Sequence, residues 1–310
     1  MTVAEPGFAI GALLPMFVYF LIGVFLRRSG VATGEHAGFL FRMMFLVTLP
    51  ALVFTSVSGA DLKPGTALLP VSGFLINLLC ATLAAVVVRL RALPAPQAGA
   101  IVVSVSVMNM GYMFPFILAT LGEDALASAI LFDAGNAVFV ATLCYPIAQY
   151  YGHSKAEFSS ASVKRVLLSP IFIAIAAALV FNLGDVTPPS LVTRTLGPLG
   201  SATIPLMLLA VGMSFGGFAS HVFDAMNAVA LRMIVGGLFG WLLVTLFGFG
   251  GTTAIVVIVS AAAPVGATAA AFAAVSDLDR EVAVNAISIS ALMGLVSSSA
   301  LLLLLSRVFA

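Results

Sequence analysis

The chain has 310 residues, 62% of them hydrophobic and 8% charged, with a net charge of +1. Soluble domains carry about 25% charged residues, so this composition excludes a water-facing surface, and with no basic cluster it gives no reason to expect nucleic acid as a partner. The apolar residues fall in blocks of about 20 or more, the length that crosses a ~30 Å hydrocarbon core as helix, without the period-two alternation of barrel strands.

Ten spans are read in chain order, over 8–26, 38–58, 66–88, 97–121, 126–150, 166–183, 197–216, 226–248, 252–275 and 283–306. The opening MTVAEPGF has no basic region, so no cleavable signal is read and the first block is expected to be a mature helix. With the N-terminus outside, the inside loops and flanks hold Arg27, Arg28, Arg42, Arg89, Arg91, Lys155, Lys164, Arg165, Arg232 and Arg280. The outside holds only Lys63, Arg194 and Arg307, with acids such as Glu123 and Asp124. This bias follows the positive-inside rule and predicts both termini outside. Cys80 and Cys144 lie inside apolar blocks and in no CxxC or Cys/His pattern, so both read as packing residues. His36, His153 and His221 fall in inside loops without ligand spacing, and no metal is expected.

The longest polar internal stretch, YGHSKAEFSSASVK from Tyr151 to Lys164, sits at the midpoint. Pro15 and Pro50 are 35 residues apart, as are Pro170 and Pro205, and the two pairs are offset by 155, half the chain. These features predict a first five-helix repeat over 1–150, a cytoplasmic linker over 151–165 and a second five-helix repeat over 166–310. Five spans per half make the halves enter the membrane in opposite directions, as in many secondary transporters. The predicted fold is therefore an all-α polytopic membrane protein of ten transmembrane helices, a 5+5 inverted repeat with both termini outside.

In such folds solutes bind near the midplane, where helices are interrupted, and freed backbone groups are tolerated only around a protected cavity. Span four contains Asn109-Met110-Gly111-Tyr112-Met113-Phe114-Pro115, and span nine contains Ala263-Pro264-Val265-Gly266. Both are fourth in their halves, so they read as a crossed pair of discontinuous helices; the plainer reading is that Pro115 and Pro264 only kink continuous helices. Half-helix N-termini favour an anionic group such as a carboxylate. The candidate substrate residues are Asn109, Gly111, Tyr112, Pro115, Pro264, Gly266 and, on span ten, Ser288. Asp133 is the one acid placed deep in a span, with Asn136 one turn along. It is a candidate for carrying a proton or helping to hold a cation, or else a structural acid bonded to Asn136. The small-residue tracts Ala267 to Ala274 and Gly236 to Gly240 read as close helix packing.

Over nearly its whole length the chain resembles the auxin efflux carrier family, in the superfamily that includes bile acid:sodium symporters. The resemblance is carried by LLPMFVYFLIGVFLRRSGV and LVTLPALVFTSVS, then by LSPIFIAIAAALVFNLG, TPPSLV and LGPLGSATIPLMLLAVGMSF. Asn109-Met110-Gly111-Tyr112 with Pro115 resembles the family's first crossover, Ala263-Pro264 its second, and Asp133 with Asn136 an acid-and-amide pattern of its fifth helix. The resemblance implies a scaffold part and a transport part, export or import of small organic acids, and binding roles for Asn109, Pro115 and Pro264. Phe114 departs from the glycine that often precedes the first crossover proline.

The reading is a secondary carrier of a small organic anion in a lipid bilayer, multi-pass in the plasma or inner cell membrane. No cofactor is expected beyond a coupling ion, H⁺ or Na⁺, and a homodimer stays open as an assembly. Two alternatives stand: a sodium-coupled symporter of the bile acid type, and a solute sensor on a carrier scaffold. No HExxH, GxSxG or paired intramembrane aspartate suggests an enzyme.

Overall fold

The computed structural model describes residues 6–62, 65–152, 167–214 and 220–309, with side chains described from residue 14 onward. The linker residues His153, Lys155, Lys164 and Arg165, and Lys63 in an earlier loop, lie outside them. Among the described residues the regular elements are all helices. They are α1 (Pro6–Arg28), α2 (Gly34–Ser58), α3 (Leu68–Leu90), α4 (Ala95–Ser106), α5 (Met110–Leu121) and α6 (Glu123–Tyr151). Then come α7 (Pro170–Leu183), α8 (Ser190–Ser214), α9 (Val222–Phe247), α10 (Gly251–Ala261), α11 (Thr268–Val275) and α12 (Arg280–Val308). Helices α2, α3, α6, α8, α9 and α12, of 23 to 29 residues, are long and apolar enough to cross a membrane; at 1.5 Å per residue even the shortest reaches about 35 Å. The protein is an all-helical, polytopic membrane protein.

Three long helices contain a wide π turn. Those at Met44–Thr48 in α2 and Val140–Cys144 in α6 sit just ahead of Pro50 and Pro146. A proline gives no N–H to the ladder and crowds the carbonyl four residues back, and widening the turn relieves both. The third, Leu231–Val235 in α9, has no proline; it carries Arg232. Span limits otherwise shift by a few residues, the largest change being α8, which starts at Ser190 and so takes Arg194 into the helix.

Helices meet at reciprocal glycines. A Cβ on Gly23 of α1 would overlap the Leu209 carbonyl of α8, and one on Gly212 would overlap the Phe20 carbonyl. Gly73 of α3 and Gly135 of α6 approach the Phe132 and Pro70 carbonyls in the same way. Missing side chains thus let backbones touch where hydrocarbon gives no hydrophobic drive. Packing also pairs across the halves: α1 lies on the second half of α8, and α7 on the second half of α2. Helix α3 packs on α4 and α6 much as α9 packs on α10 and α12.

The helix ends gather at two opposite faces. On one, Arg91 bonds Asp224 at 3.0 Å, Gln97 bonds Asp224 at 2.5 Å, and the Asp279 N–H donates to the Pro96 carbonyl at 3.1 Å. On the other, Ser56 donates to Glu123 at 3.0 Å and Asn182 donates to the Ala60 carbonyl at 2.7 Å.

Candidate functional site

Between α4 and α5 the backbone leaves the helix at Val107 to Asn109, where Val107 is extended at φ −116°, ψ 118°. Between α10 and α11 it does so from Ala262 to Ala267. The two breaks cross and bond: the Asn109 N–H donates to the Pro264 carbonyl and the Gly266 N–H to the Val107 carbonyl, each at 2.8 Å. They form an isolated antiparallel bridge between Met108 and Val265. Backbone groups released from two helices therefore satisfy each other in the interior, as a low-dielectric setting demands. Gly266 permits the approach, because a Cβ there would stand 2.5 Å from Val107 Cγ1 and 3.1 Å from the Met108 carbonyl oxygen.

The expected residues separate on this geometry. Asn109 caps α5, its side-chain oxygen accepting from the Tyr112 N–H at 3.2 Å. Pro264 and Gly266 lie in the second break. Tyr112 is fully buried, and its hydroxyl donates to the Ala291 carbonyl of α12 at 2.9 Å. Gly111 faces the tip of Met207 on α8. Pro115 is not at an interruption: it sits inside α5, six residues past the break. The break is fixed by long-range backbone pairing rather than by proline. Ser288 is half-buried on α12, whereas Ser290, about 200° around the helix, accepts from the Val265 N–H at 3.0 Å.

Arg232 was counted as an inside flank, and the structure corrects that. It is 0% exposed, in the π turn of α9. Its Nη1 donates to the Val105 carbonyl of α4 at 3.0 Å and to Asn77 Oδ1 at 3.2 Å, and its Nη2 to the Ala261 carbonyl of α10 at 2.5 Å. One guanidinium thus joins the C-terminal ends of both first half-helices. From there a chain runs outward: Asn77 Nδ2 donates to Asn136 Oδ1 at 2.7 Å, and Asn136 Nδ2 to Asp133 Oδ1 at 2.6 Å. Asp133 and Asn136 therefore bond each other, as the reading of a structural acid has it, and connect to the crossover through Asn77 and Arg232. Asp133 also lines a small cavity of about 20 Å³ with Phe114 and with Leu49, Val53, Ile171 and Ile175 of α2 and α7. A larger groove of about 450 Å³ between α9 and α12 is walled by Met226, Met233, Met293 and Leu304, and carries no charge.

Sequence reasoning missed Arg232 and Asn77, while Ser290, read with the other span-ten serines as a packing or backbone-bonding residue, does bond the Val265 N–H. Arg232 was legible: it lies six residues inside the span read over 226–248, and an intramembrane ionisable residue is a functional candidate by the argument applied to Asp133. Asn77 lies 155 residues before Arg232, as Asn109 does before Pro264, so partners in the crossover are also counterparts in the two halves. Among the described residues, the buried side-chain polar atoms without a hydrogen-bond partner are Thr48 Oγ1, Thr203 Oγ1, Ser104 Oγ, Ser260 Oγ and Arg232 Nε. Thr48 and Thr203 are again 155 apart, and Ser104 and Ser260 stand two and one residues before the carbonyl-bearing ends of α4 and α10.

Six helices long and apolar enough to cross a membrane, together with two interior, hydrogen-bonded helix breaks, describe a multi-pass membrane protein. A sequence profile for a family described as membrane transport protein matches residues 8–302, and the chain belongs to that family, which is of the auxin efflux carrier type. It is 28% identical over 289 residues to an uncharacterized transporter of Methanothermobacter thermautotrophicus, covering 92% of this chain and 94% of that protein. It is 26% identical over 232 residues to an uncharacterized transporter of Methanocaldococcus jannaschii, covering 72% and 74%.

Proposed function

We propose that the protein is a secondary carrier that moves a small organic anion, such as a carboxylate, by alternating access across the cell membrane. The observation that carries this reading is the bonded crossing of the two breaks, Asn109 to Pro264 and Gly266 to Val107. Helices α5 and α11 start there, and the first N–H groups of a helix have no intrahelical partner and lie at its positive end. Two such ends beside one crossing form a seat for a carboxylate. Asn109 and Gly266 shape that seat.

In this reading the chain makes ten crossings as two inverted five-span halves with both termini outside, α4 with α5 and α10 with α11 each making one crossing. The exchanged packing of α1 on α8 and α7 on α2 supports the repeat. Alternating access requires the halves to differ in any one state. Helix α5 packs on α1 and α8, while α11, its counterpart, makes no comparable packing on α7 or α2 among the described residues, and Ala267 and Thr268 at its start are exposed. Asp133 is the coupling acid, wired to the crossover through Asn136 and Asn77. The reading is tested by reconstituting purified protein in liposomes and measuring uptake of small carboxylates under an imposed pH gradient or potential. Saturable uptake that Asn109→Ala impairs supports it; full uptake by Asn109→Ala, Gly266→Leu and Pro264→Leu proteins alike removes the site.

A further inference from the structure

A helix C-terminus leaves its last carbonyls unpaired and carries about half a negative charge. Here two such ends, those of α4 and α10, meet inside the protein. With the Asn77 side-chain oxygen, the Val105 and Ala261 carbonyls make three oxygens gathered round one guanidinium, two on Nη1 and one on Nη2. That is the donor set of a monovalent cation: neutral carbonyl and amide oxygens, backed by two helix ends worth about one negative charge together. What lies among them is the Arg232 guanidinium, hydrogen-bonded to all three at 2.5 to 3.2 Å and 0% exposed. Arginine keeps its charge in any protein setting. An isolated buried charge is very costly, and among the described residues no acid pairs with Arg232 directly. The nearest acid along the hydrogen-bond chain is Asp133, two amides away. The helix ends are therefore its counter-charge.

We infer that Arg232 is a built-in cation, filling the place between the two half-helix C-termini where a dissolved monovalent ion would otherwise be held, so that the crossover is assembled without sodium. The inference rests on the reading of the crossover as the carrier's core and adds what holds that core together. It also makes the π turn at Leu231–Val235 purposeful, since this widened stretch of α9 brings Arg232 to the ends of α4 and α10. Sodium coupling at this point is thereby disfavoured, and any ion coupling falls to Asp133.

The test is thermal unfolding of the purified full chain in sodium chloride against choline chloride at equal ionic strength. The unaltered protein should melt at the same temperature in both. Arg232→Ala should melt roughly 5–10 °C lower in choline and recover at least half of that loss in sodium or in millimolar methylguanidinium, either of which can enter the emptied place. Arg232→Lys, which keeps a charge, should fall between. A sodium-dependent rise in the melting temperature of the unaltered protein overturns the inference, as does an Arg232→Ala protein that melts normally or ignores both cations. Should Arg232→Ala fail to fold, the sodium response of the unaltered protein and the Arg232→Lys melting temperature decide. None of these readouts needs a transported substrate, so a failure of carboxylate uptake would sink the carrier reading and leave this measurement standing.

Discussion

Adding one methyl group at Gly266 and, separately, at Gly111 distinguishes a contact against a stiff side chain and backbone from one made by a movable side chain. Both glycines sit beside the crossover, and in both a built Cβ meets a neighbouring atom at 2.5 Å. At Gly266 that atom is Val107 Cγ1, a branched side chain with little rotamer freedom, and the Met108 carbonyl oxygen follows at 3.1 Å. Neither can retreat without moving the strand-like segment that bonds Pro264 and Gly266. Overpacking costs about 1–3 kcal/mol, and each lost backbone hydrogen bond adds about 0.5–1.5 kcal/mol. Gly266→Ala should therefore lose about 2–4 kcal/mol. At Gly111 the crowding atom is Met207 Cε, the free end of an unbranched chain. Methionine repacks readily, and alanine gains about 0.5–1 kcal/mol over glycine in a helix, so Gly111→Ala should come out within about 1 kcal/mol of the parent. A thiol-reactive fluorophore reads this directly, since Cys80 and Cys144 are both free and buried and react only on unfolding. Gly266→Ala should melt about 5 °C or more below the parent and lose carboxylate uptake. A Gly266→Ala protein as stable and active as the parent, or a Gly111→Ala protein that is the more damaged, would refute the account of the crossing.

Other expectations follow from individual contacts. Ser290→Ala removes the partner of the buried Val265 N–H and should cost about 1–3 kcal/mol by thermal unfolding, while Ser288→Ala should be close to neutral. Asp133→Asn keeps a bond to Asn136 without the charge, so the protein should fold normally in size-exclusion and melting assays while uptake loses its response to a pH gradient; an unchanged response takes coupling away from Asp133. Thr203→Val and Thr48→Val replace partnerless hydroxyls with methyls, so stability should hold or rise slightly, and uptake should fall if these hydroxyls meet the substrate. Phe114→Ala should enlarge the cavity beside Asp133 at a cost of about 3–5 kcal/mol, read by thermal unfolding.

The membrane character and the positions of the apolar spans were open to reading because they depend on run length, a local property. The break in span nine was also local: Ala-Pro-Val-Gly offers neither a full ladder nor side-chain bulk. Span four misled, because Pro115 is the visible breaker, yet a single proline six residues into a helix only kinks it. The actual break at Val107 to Asn109 follows from backbone bonds to residues more than 150 positions away, which no window over the sequence contains. Arg232 was misplaced for a related reason. Counting cations for orientation treats every arginine near a loop as exposed, whereas this one is balanced by helix ends contributed by two other spans. The linker over 151–165 lies almost wholly outside the described residues, and the two-half division is supported by the repeat offset and by the exchanged packing of α1 on α8 and α7 on α2.

The central claim, that a small organic anion is carried through the crossover by alternating access, is tested most directly by counterflow. Liposomes bearing the protein are loaded with an unlabelled carboxylate, and entry of the labelled compound from outside is followed with no ion gradient present. A carrier that re-exposes one site alternately should show transient accumulation of label above the outside concentration, abolished by Gly266→Leu. Label that merely equilibrates, or binding of the carboxylate without any entry, would contradict the account.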